Sequence, residues 1–413
     1  MAGLFPDSLG LYISIPFCRS KCTYCNFASG VYPASEHSPY VDQLIGEMNG
    51  AGDWAKGLGL ELPRPIDTIY LGGGTPSLLE PELIARLFGA VRRSFAVNRD
   101  AEITVECAPG QLSDETLGAL GAAGANRVSL GVQSFVDREA KSSGRLHSRT
   151  KVLDDLRRLS AAGVESVNVD LIAGLAGQTL ETWEESLAVL IDCGVPHASI
   201  YMLEVDEDSR LGREMLAGGA RYFAELVPAD DAIARMYEMA IERLDGAGLK
   251  QYEISNFAKP GCESRHNLRY WQRRPYLGIG LDASSMLREN AQEADGGGTP
   301  YVLRSSNTDD LKMYLDGDFG RETAWLSPER QHEEAWFLGL RMNEGVKLNH
   351  LRREFGDVLV GRALESAAQL ADDGLLLWNG EVICLTAKGR LLSNDVFQEF
   401  VESSLREHSV TGR

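Results

Sequence analysis

From residue 11 to about 257 the chain alternates short β-branched runs with amphipathic stretches, and this rhythm restricts the fold more than any other feature. The runs fall at 11–17, 66–71, 102–106, 127–132, 166–172 and 198–203, with helix-like stretches between them at 81–95, 150–162, 179–193 and 228–247. Several of these stretches stop at a glycine, as at Gly163 and Gly194, the usual C-terminal signal of a helix. Strand–helix alternation means βαβ units and a parallel sheet. Six repeats predict an α/β fold built as a partial, TIM-like (βα)6 barrel rather than a closed ring of eight. A flat doubly wound sheet has the same periodicity and stays open as the alternative.

After about residue 258 the rhythm changes. Residues 258–307 are rich in Gly, Arg, Ser and Asn, and Gly296-Gly297-Gly298 reads as a loop. Near Ser327 a smaller unit begins: a helix, helices at 348–355 and 359–373, a hairpin turning at Asn379-Gly380, and a last helix. This order resembles a winged helix, so the expected division is 1–257 (barrel), 258–325 (connecting segment) and 326–413 (winged-helix-like α+β domain). Winged helices usually bind DNA, but the formal net charge is −19, and phosphate attraction needs a basic surface. The acidic unit therefore reads as a lid or docking module, and no nucleic-acid partner is expected. The first ten residues lack a basic stretch followed by an apolar one, so no signal peptide and a cytoplasmic location are expected.

Three of the seven cysteines lie within eight residues, Cys18-Arg19-Ser20-Lys21-Cys22-Thr23-Tyr24-Cys25, spaced C-x3-C-x2-C. A disulfide framework would spread them through the chain, whereas clustered thiols point to a metal. They follow the first strand, at the C-terminal edge where α/β barrels place their chemistry. An iron–sulfur cube held by three thiolates keeps one iron open, as a catalytic zinc keeps an open position. Structural zinc would need a fourth ligand, and the nearest histidine, His37, has no paired spacing. The other four cysteines are scattered; Cys107, Cys193 and Cys384 read as small apolar residues.

The cysteine spacing, with an aromatic before the last Cys, resembles the signature of radical S-adenosylmethionine (SAM) proteins. That resemblance implies a 4Fe-4S cluster on Cys18, Cys22 and Cys25 whose open iron chelates SAM. Gly72-Gly73-Gly74-Thr75-Pro76, one βα unit later, resembles the strip with which the oxygen-independent coproporphyrinogen oxidase-like group holds the SAM amino group. The resemblance implies SAM contacts at Gly73, Gly74 and Thr75, with Tyr12 near SAM. Gln133, Arg145 and Asp170 are implied at its ribose and carboxylate, and Glu106 near SAM or a second molecule of it. Read without the family, a lone glycine run is a tight turn, and a lone buried carboxylate is a structural hydrogen-bonder.

Within that group the true oxidase has a fourth cysteine two residues after the third; here Phe27 stands there. Cys-x-Phe, followed by His266-Asn267-Leu268-Arg269-Tyr270-Trp271, resembles the HemW-type haem chaperones and their HNxxYW motif. This implies haem as a cofactor with His266 as its contact, a haem-accepting target that can be membrane-associated, and a homodimer as one form. Leu281-Asp282-Ala283-Ser284 departs from that family, which usually reads Ala/Pro-Gly-Ala-His there. The competing reading is an enzyme on the same fold, a methyltransferase or a coproporphyrinogen III dehydrogenase-like protein, with Phe27 weighing against the latter. No catalytic residue is assigned.

Overall fold

The computed structural model describes residues 8–289 and 300–402; the glycine triplet at 296–298 lies outside the described residues. Strands β1 (Leu9–Ile15), β2 (Ile66–Gly73), β3 (Val97–Cys107), β4 (Arg127–Gln133), β5 (Ser166–Ala173) and β6 (His197–Met202) lie side by side in that order, all parallel. Helices His37–Gly57, Pro81–Ser94, Asp114–Ala123, Arg149–Ala161 and Leu180–Asp192 make crossovers between them. Their ends are written in the sequence. Ser113 accepts a bond from the Thr116 amide to start one helix, which stops at Gly124 with φ 87°, and Thr179 with Thr182 forms a capping box on another.

Parallel strands covered on both faces usually read as continuous apolar runs. These strands alternate instead. Val128, Leu130 and Val132 of β4, Val167, Val169 and Leu171 of β5, and Ala198 and Ile200 of β6 are buried in the main apolar core. The intervening Ser129, Gly131, Gln133, Asn168, Asp170, Ser199 and Tyr201 line one internal cavity. One face of the sheet therefore packs on helices while the other curves around a polar space, which is the geometry of a partial barrel.

The sheet runs beyond six strands. Past β6 it adds β7 (Lys250–Gln251) and β8 (Asn256–Ala258), with β8 antiparallel to β6. Beside β1 it adds β9 (Tyr276–Ile279) in parallel, then β10 (Ser284–Arg288), β11 (Val302–Ser306) and β12 (Glu322–Leu326), antiparallel in turn, making twelve strands. The stretch expected only to connect two units is thus part of the sheet. The reason is long-range: the short apolar run Tyr276-Leu277-Gly278-Ile279 finds its partner in β1, some 260 residues earlier in the chain.

The C-terminal unit follows the expected order. Helix Pro328–Arg341 leads to β13 (Val346–Lys347), a helix over Leu348–Asp372 broken at Gly356 with φ 80°, and the hairpin β14 (Leu376–Trp378) and β15 (Val382–Leu385). Two short helices, Ala387–Leu391 and Ser393–Glu402, close it. It has its own apolar core, in which Trp336 stacks on Phe400 with centroids 4.6 Å apart. Among the described residues no helix is long and apolar enough to cross a membrane.

Opposite the mouth, the floor of the barrel is sealed by a fully buried arginine. Arg269 pairs with Asp67 and donates to the carbonyls of Ser8 (3.1 Å) and Pro275 (2.8 Å), while Arg274 reaches the other Asp67 oxygen at 2.7 Å. Burial pushes the Asp67 carboxyl up, and the two guanidiniums outweigh it, leaving it below its usual range. Removing one member of a buried pair strands the other's charge. Asp67→Ala is therefore expected to lower unfolding free energy in urea by about 3–5 kcal/mol. Glu238→Ala, which breaks the exposed Arg235–Glu238 pair, should cost under about 1 kcal/mol.

Candidate cluster and cofactor site

The three cysteines sit on a loop that continues β1 and is closed by main-chain bonds. The Cys18 amide donates to Gly30 (2.8 Å) and the Gly30 amide to Pro16 (2.9 Å). Lys21 spans the loop from inside, donating to the carbonyls of Phe27 and Ser29, both at 2.9 Å. The exit of β2 docks on the same loop, with Gly74 N donating to Ile15 O and Thr75 N to Phe17 O, each at 2.8 Å. A Cβ on Gly74 would lie 2.7 Å from the Phe17 oxygen, and Gly73 has φ +101°. Only glycines permit this approach.

Cys18, Cys22 and Cys25 all line one cavity of about 980 Å³ at the C-terminal ends of the strands. Gly73, Gly74, Thr75, Glu106, Gln133, Arg145 and Asp170 share its wall. The Thr75 hydroxyl lies 3.9 Å from Cys18 Sγ, and Arg145 Nη1 lies 3.4 Å from Cys22 Sγ. Burial works against the Arg145 charge, but the neighbouring Cys22 sulfur and Tyr24 hydroxyl outweigh it and hold the guanidinium above its ordinary value. A Cβ at Gly131 would meet Arg145 at 2.9 Å and Gln133 at 3.1 Å, so this glycine makes room for both side chains. Among the described residues no three His, Cys, Asp or Glu side chains converge on a single-ion site.

The wall is electrostatically tense. Burial pushes the Glu106 carboxyl up to about 7, with the nearby Asp170 charge adding to it, although Glu106 accepts a 2.7 Å bond from the Tyr70 hydroxyl. Asp170 is raised by burial too, and Ser129 (3.0 Å) and Asn168 (2.7 Å) donate to it. Gln133 has φ 70°, in the left-handed region that non-glycine residues seldom adopt, and its buried Oε1 has no partner. A strained residue presenting an unpaired acceptor to a cavity fits a ligand that brings donors. SAM, with ribose hydroxyls and an ammonium group, is such a ligand, and three free thiols beside a guanidinium fit an anionic iron–sulfur cluster.

Two residues singled out in the sequence stand elsewhere. Tyr12, on β1, stacks on Tyr70 (6.1 Å) and lines a smaller cavity that shares Phe27 and Gly73 with the larger one. His266 requires a correction. It is fully buried below the cavity, with Nδ1 2.9 Å from the Thr68 hydroxyl and Nε2 2.8 Å from the Tyr270 hydroxyl. Both ring nitrogens are engaged, and burial with the Arg269 charge pushes its pKa down to about 3. A neutral imidazole with no free nitrogen has no lone pair to offer haem iron. It is a structural hydrogen-bonder of the barrel floor.

The sequence reading missed Tyr70, Ser129, Asn168, Ser199 and Tyr201, all on the cavity wall. For Ser129 and Asn168 the signal was present as period-two polar residues within β-branched runs, Ser129-x-Gly131-x-Gln133 and Asn168-x-Asp170. Arg341 and residues 391–395 of the C-terminal unit also line the cavity, and no local pattern marks them.

Comparison with known proteins agrees with this geometry. Residues 12–190 match the Radical SAM superfamily, and residues 326–392 match the HemN C-terminal domain. In fold, 95% of the chain superposes on 90% of the coproporphyrinogen III oxidase HemN of Escherichia coli, with a TM-score of 0.79 at 24% identity. The partial barrel and the three-cysteine loop thus define a radical SAM protein. The heme chaperone HemW of Bacillus subtilis is 34% identical over 94% of this chain and 98% of its own length. That of Lactococcus lactis is 33% identical over 94% and 96%. The chain belongs to the HemW family of haem chaperones.

The raised Glu106 carboxyl gives a stability test. A carboxyl that stays protonated in the folded state up to about 7 contributes stability below the unfolded value of about 4.5, and loses it as pH rises between the two. Glu106→Gln removes that loss. The ligand-free variant is expected to gain about 1–3 kcal/mol on the parent between pH 5 and pH 8. Thermal melts of both proteins across that range measure it.

Proposed function

We propose that this protein binds a 4Fe-4S cluster through Cys18, Cys22 and Cys25, binds SAM beside it, and carries haem to acceptor haemoproteins. What carries the reading is the gathering of three thiols, the Gly73–Thr75 strip and the polar residues Glu106, Gln133, Arg145 and Asp170 on one cavity wall. A cluster held there supplies an open iron to chelate the amino and carboxylate groups of SAM and an electron for its reductive cleavage. The protein's own residues would do the rest. Gln133 Oε1 offers an acceptor, Asp170 is poised toward hydroxyls, and Arg145 places positive charge 3.4 Å from Cys22. The Gly73–Gly74 backbone can approach a ligand without side-chain obstruction.

Haem is assigned to the protein through its family and not to His266, whose ring is closed to it. Phe27, in place of a fourth cysteine, is 64% exposed at the cavity mouth. An apolar ring open to solvent there supports binding of a flat apolar macrocycle over porphyrin oxidation. Acceptor protein, membrane association and homodimer formation belong to the same proposal.

The test is anaerobic reconstitution followed by SAM and haem titrations and an assay with coproporphyrinogen. Stable haem binding without conversion of coproporphyrinogen is expected. Asp170→Ala should weaken SAM by about 10–100-fold, since it leaves buried hydroxyl partners unpaired. His266→Ala should lower stability by about 2–4 kcal/mol, as loss of a buried hydrogen-bonded ring does, while folded protein keeps its haem stoichiometry. Turnover of SAM to S-adenosylhomocysteine with a methylated product would replace the chaperone reading by a methyltransferase.

A further inference from the structure

The third cysteine is followed by Asn26-Phe27-Ala28-Ser29-Gly30, so Ser29 lies outside the cysteine spacing. A serine in such a loop carries no signal of its own. In the fold it is held at both of its main-chain groups. The Ser29 amide donates to Phe27 O at 2.7 Å, and its carbonyl accepts from Lys21 Nζ at 2.9 Å. The Gly30 amide beside it donates to Pro16 O at 2.9 Å, fastening this part of the loop to the end of β1. Ser29 is 5% exposed and lines the cluster cavity. With its amide and carbonyl committed, the part of Ser29 left to act is the hydroxyl.

That hydroxyl meets sulfur. Ser29 Oγ lies 3.9 Å from Cys25 Sγ. It bonds to Cys18 as well: burial pushes the Cys18 thiol up, and hydrogen bonds with the Thr75 and Ser29 hydroxyls pull against that effect. Among the described residues Cys25 Sγ has no other hydrogen-bond partner, and Ser29 Oγ has none besides these two sulfurs. Cys22 has Arg145 at 3.4 Å, and Cys18 has Thr75 at 3.9 Å. Each of the three thiols thus has a side-chain donor within reach. Arg145 and Thr75 are shared with the proposed SAM contacts, whereas Ser29 serves sulfur alone.

Between a thiol and a hydroxyl either group can donate. Once iron takes the sulfurs as thiolates they keep only lone pairs, and the hydroxyl must be the donor. Hydrogen bonds to cluster sulfurs are among the levers that set reduction potential. The direction follows from charge. One-electron reduction adds negative charge to the cluster and its thiolates, and a donor bond strengthens as its acceptor becomes more negative. The reduced state therefore gains more from the hydroxyl than the oxidised state does. Burial sharpens the difference, because water is not there to replace the bond.

We propose that Ser29 is a positioning residue for the cluster: its hydroxyl hydrogen, shared between the Cys25 and Cys18 thiolates, raises the potential at which the cluster accepts an electron. The effect passes through the two sulfurs, and no covalent bond of the protein is made or broken. The proposal rests on the assignment of a 4Fe-4S cluster to Cys18, Cys22 and Cys25, and it is independent of haem delivery.

The test compares the full-length protein with Ser29→Ala, both reconstituted anaerobically and kept free of SAM. Iron and sulfide per chain are measured first. The midpoint potential is then read by electron paramagnetic resonance during titration with titanium(III) citrate, a low-potential one-electron reductant. The Ser29→Ala potential is expected to be lower by about 59 mV, a tenfold fall in the one-electron reduction constant. The resonance comes only from loaded molecules, so partial loading of the variant does not hide the shift. An equal or higher potential in Ser29→Ala would overturn the proposal. If Ser29→Ala takes up no cluster, the parent decides through resonance Raman spectra in H2O and D2O. Iron–thiolate bands that shift on deuteration support the donor bond, and identical bands overturn it. A parent that takes up no iron and sulfide would sink the cluster assignment as well, whereas a loaded parent with an unchanged potential in the variant sinks this inference alone.

Discussion

Everything at the cavity depends on how the cysteine loop is fastened to the exit of β2. The fastening is main chain to main chain: Gly74 to Ile15 and Thr75 to Phe17 at 2.8 Å, with Cys18 and Gly30 closing the loop on itself. Side-chain bonds could be exchanged for others, but a backbone ladder at this spacing cannot accept a Cβ at Gly74. The cysteine motif and the glycine motif, some fifty residues apart in the chain, are therefore one mechanical unit. A shift of the glycine strip would move Cys18 with it, because Thr75 also reaches the Cys18 sulfur. The strip that would cradle SAM and the loop that would hold the cluster are thus set at a fixed separation before either ligand arrives.

The hexad from His266 to Trp271 acquires a different meaning from this frame. It forms a single short helix beneath the cavity, with its first amides donating to Glu102 from β3 (3.0 and 2.9 Å). Four of its side chains tie down different parts. His266 bonds β2 through Thr68, and Arg269 bonds Asp67 at the floor. Tyr270 walls the smaller cavity, and Trp271 lies under Arg341 of the C-terminal unit at 4.2 Å. A motif with one residue for every neighbour resists substitution for reasons of assembly. Most of its polar and aromatic content is taken up by protein contacts, while Asn267 faces the cluster cavity and the buried Trp271 indole nitrogen has no partner.

What was legible in the sequence is what depends on near neighbours. The six parallel strands lie within a few residues of where β-branched runs place them, and helix starts follow Ser113 and Thr179. The hairpin turns at Asn379-Gly380, with Gly380 at φ 94°. The cysteines stood out by their spacing, whereas Glu106, Gln133, Arg145 and Asp170 were named through the family resemblance, and the fold brings all of them to one cavity wall. The long helix His37–Gly57 buries Tyr40, Val41, Leu44, Met48, Ala51 and Ala55 at helical spacing and was passed over all the same, while β9–β12 are too short to announce their partners. Tyr70 and Tyr201 were hidden in plain apolar runs, where only the strand register decides whether a tyrosine faces helices or cavity. His266 was misread because a buried, doubly bonded imidazole and a metal-binding one have the same letter.

The C-terminal unit has its own core, yet it is not a bystander. Arg341 leaves its helix to pair with Glu253 at 2.7 Å and to bond Ser255, both on the barrel side of the cavity. Glu253 is fully buried and also accepts from Asn256 and the Ser255 amide, so its charge is compensated only while Arg341 is in place. Losing the Arg341 side chain with the unit still in place would leave that carboxylate buried and unpaired, a cost of several kcal/mol. The two units are therefore coupled energetically as well as in shape, and residues 391–395 complete the cavity wall from the second unit. A volume near the upper end of the range for small-molecule sites is enclosed by joining both units. An acidic module that supplies a wall and a half-buried cation serves to bound the site, and its winged outline needs no nucleic acid to account for it.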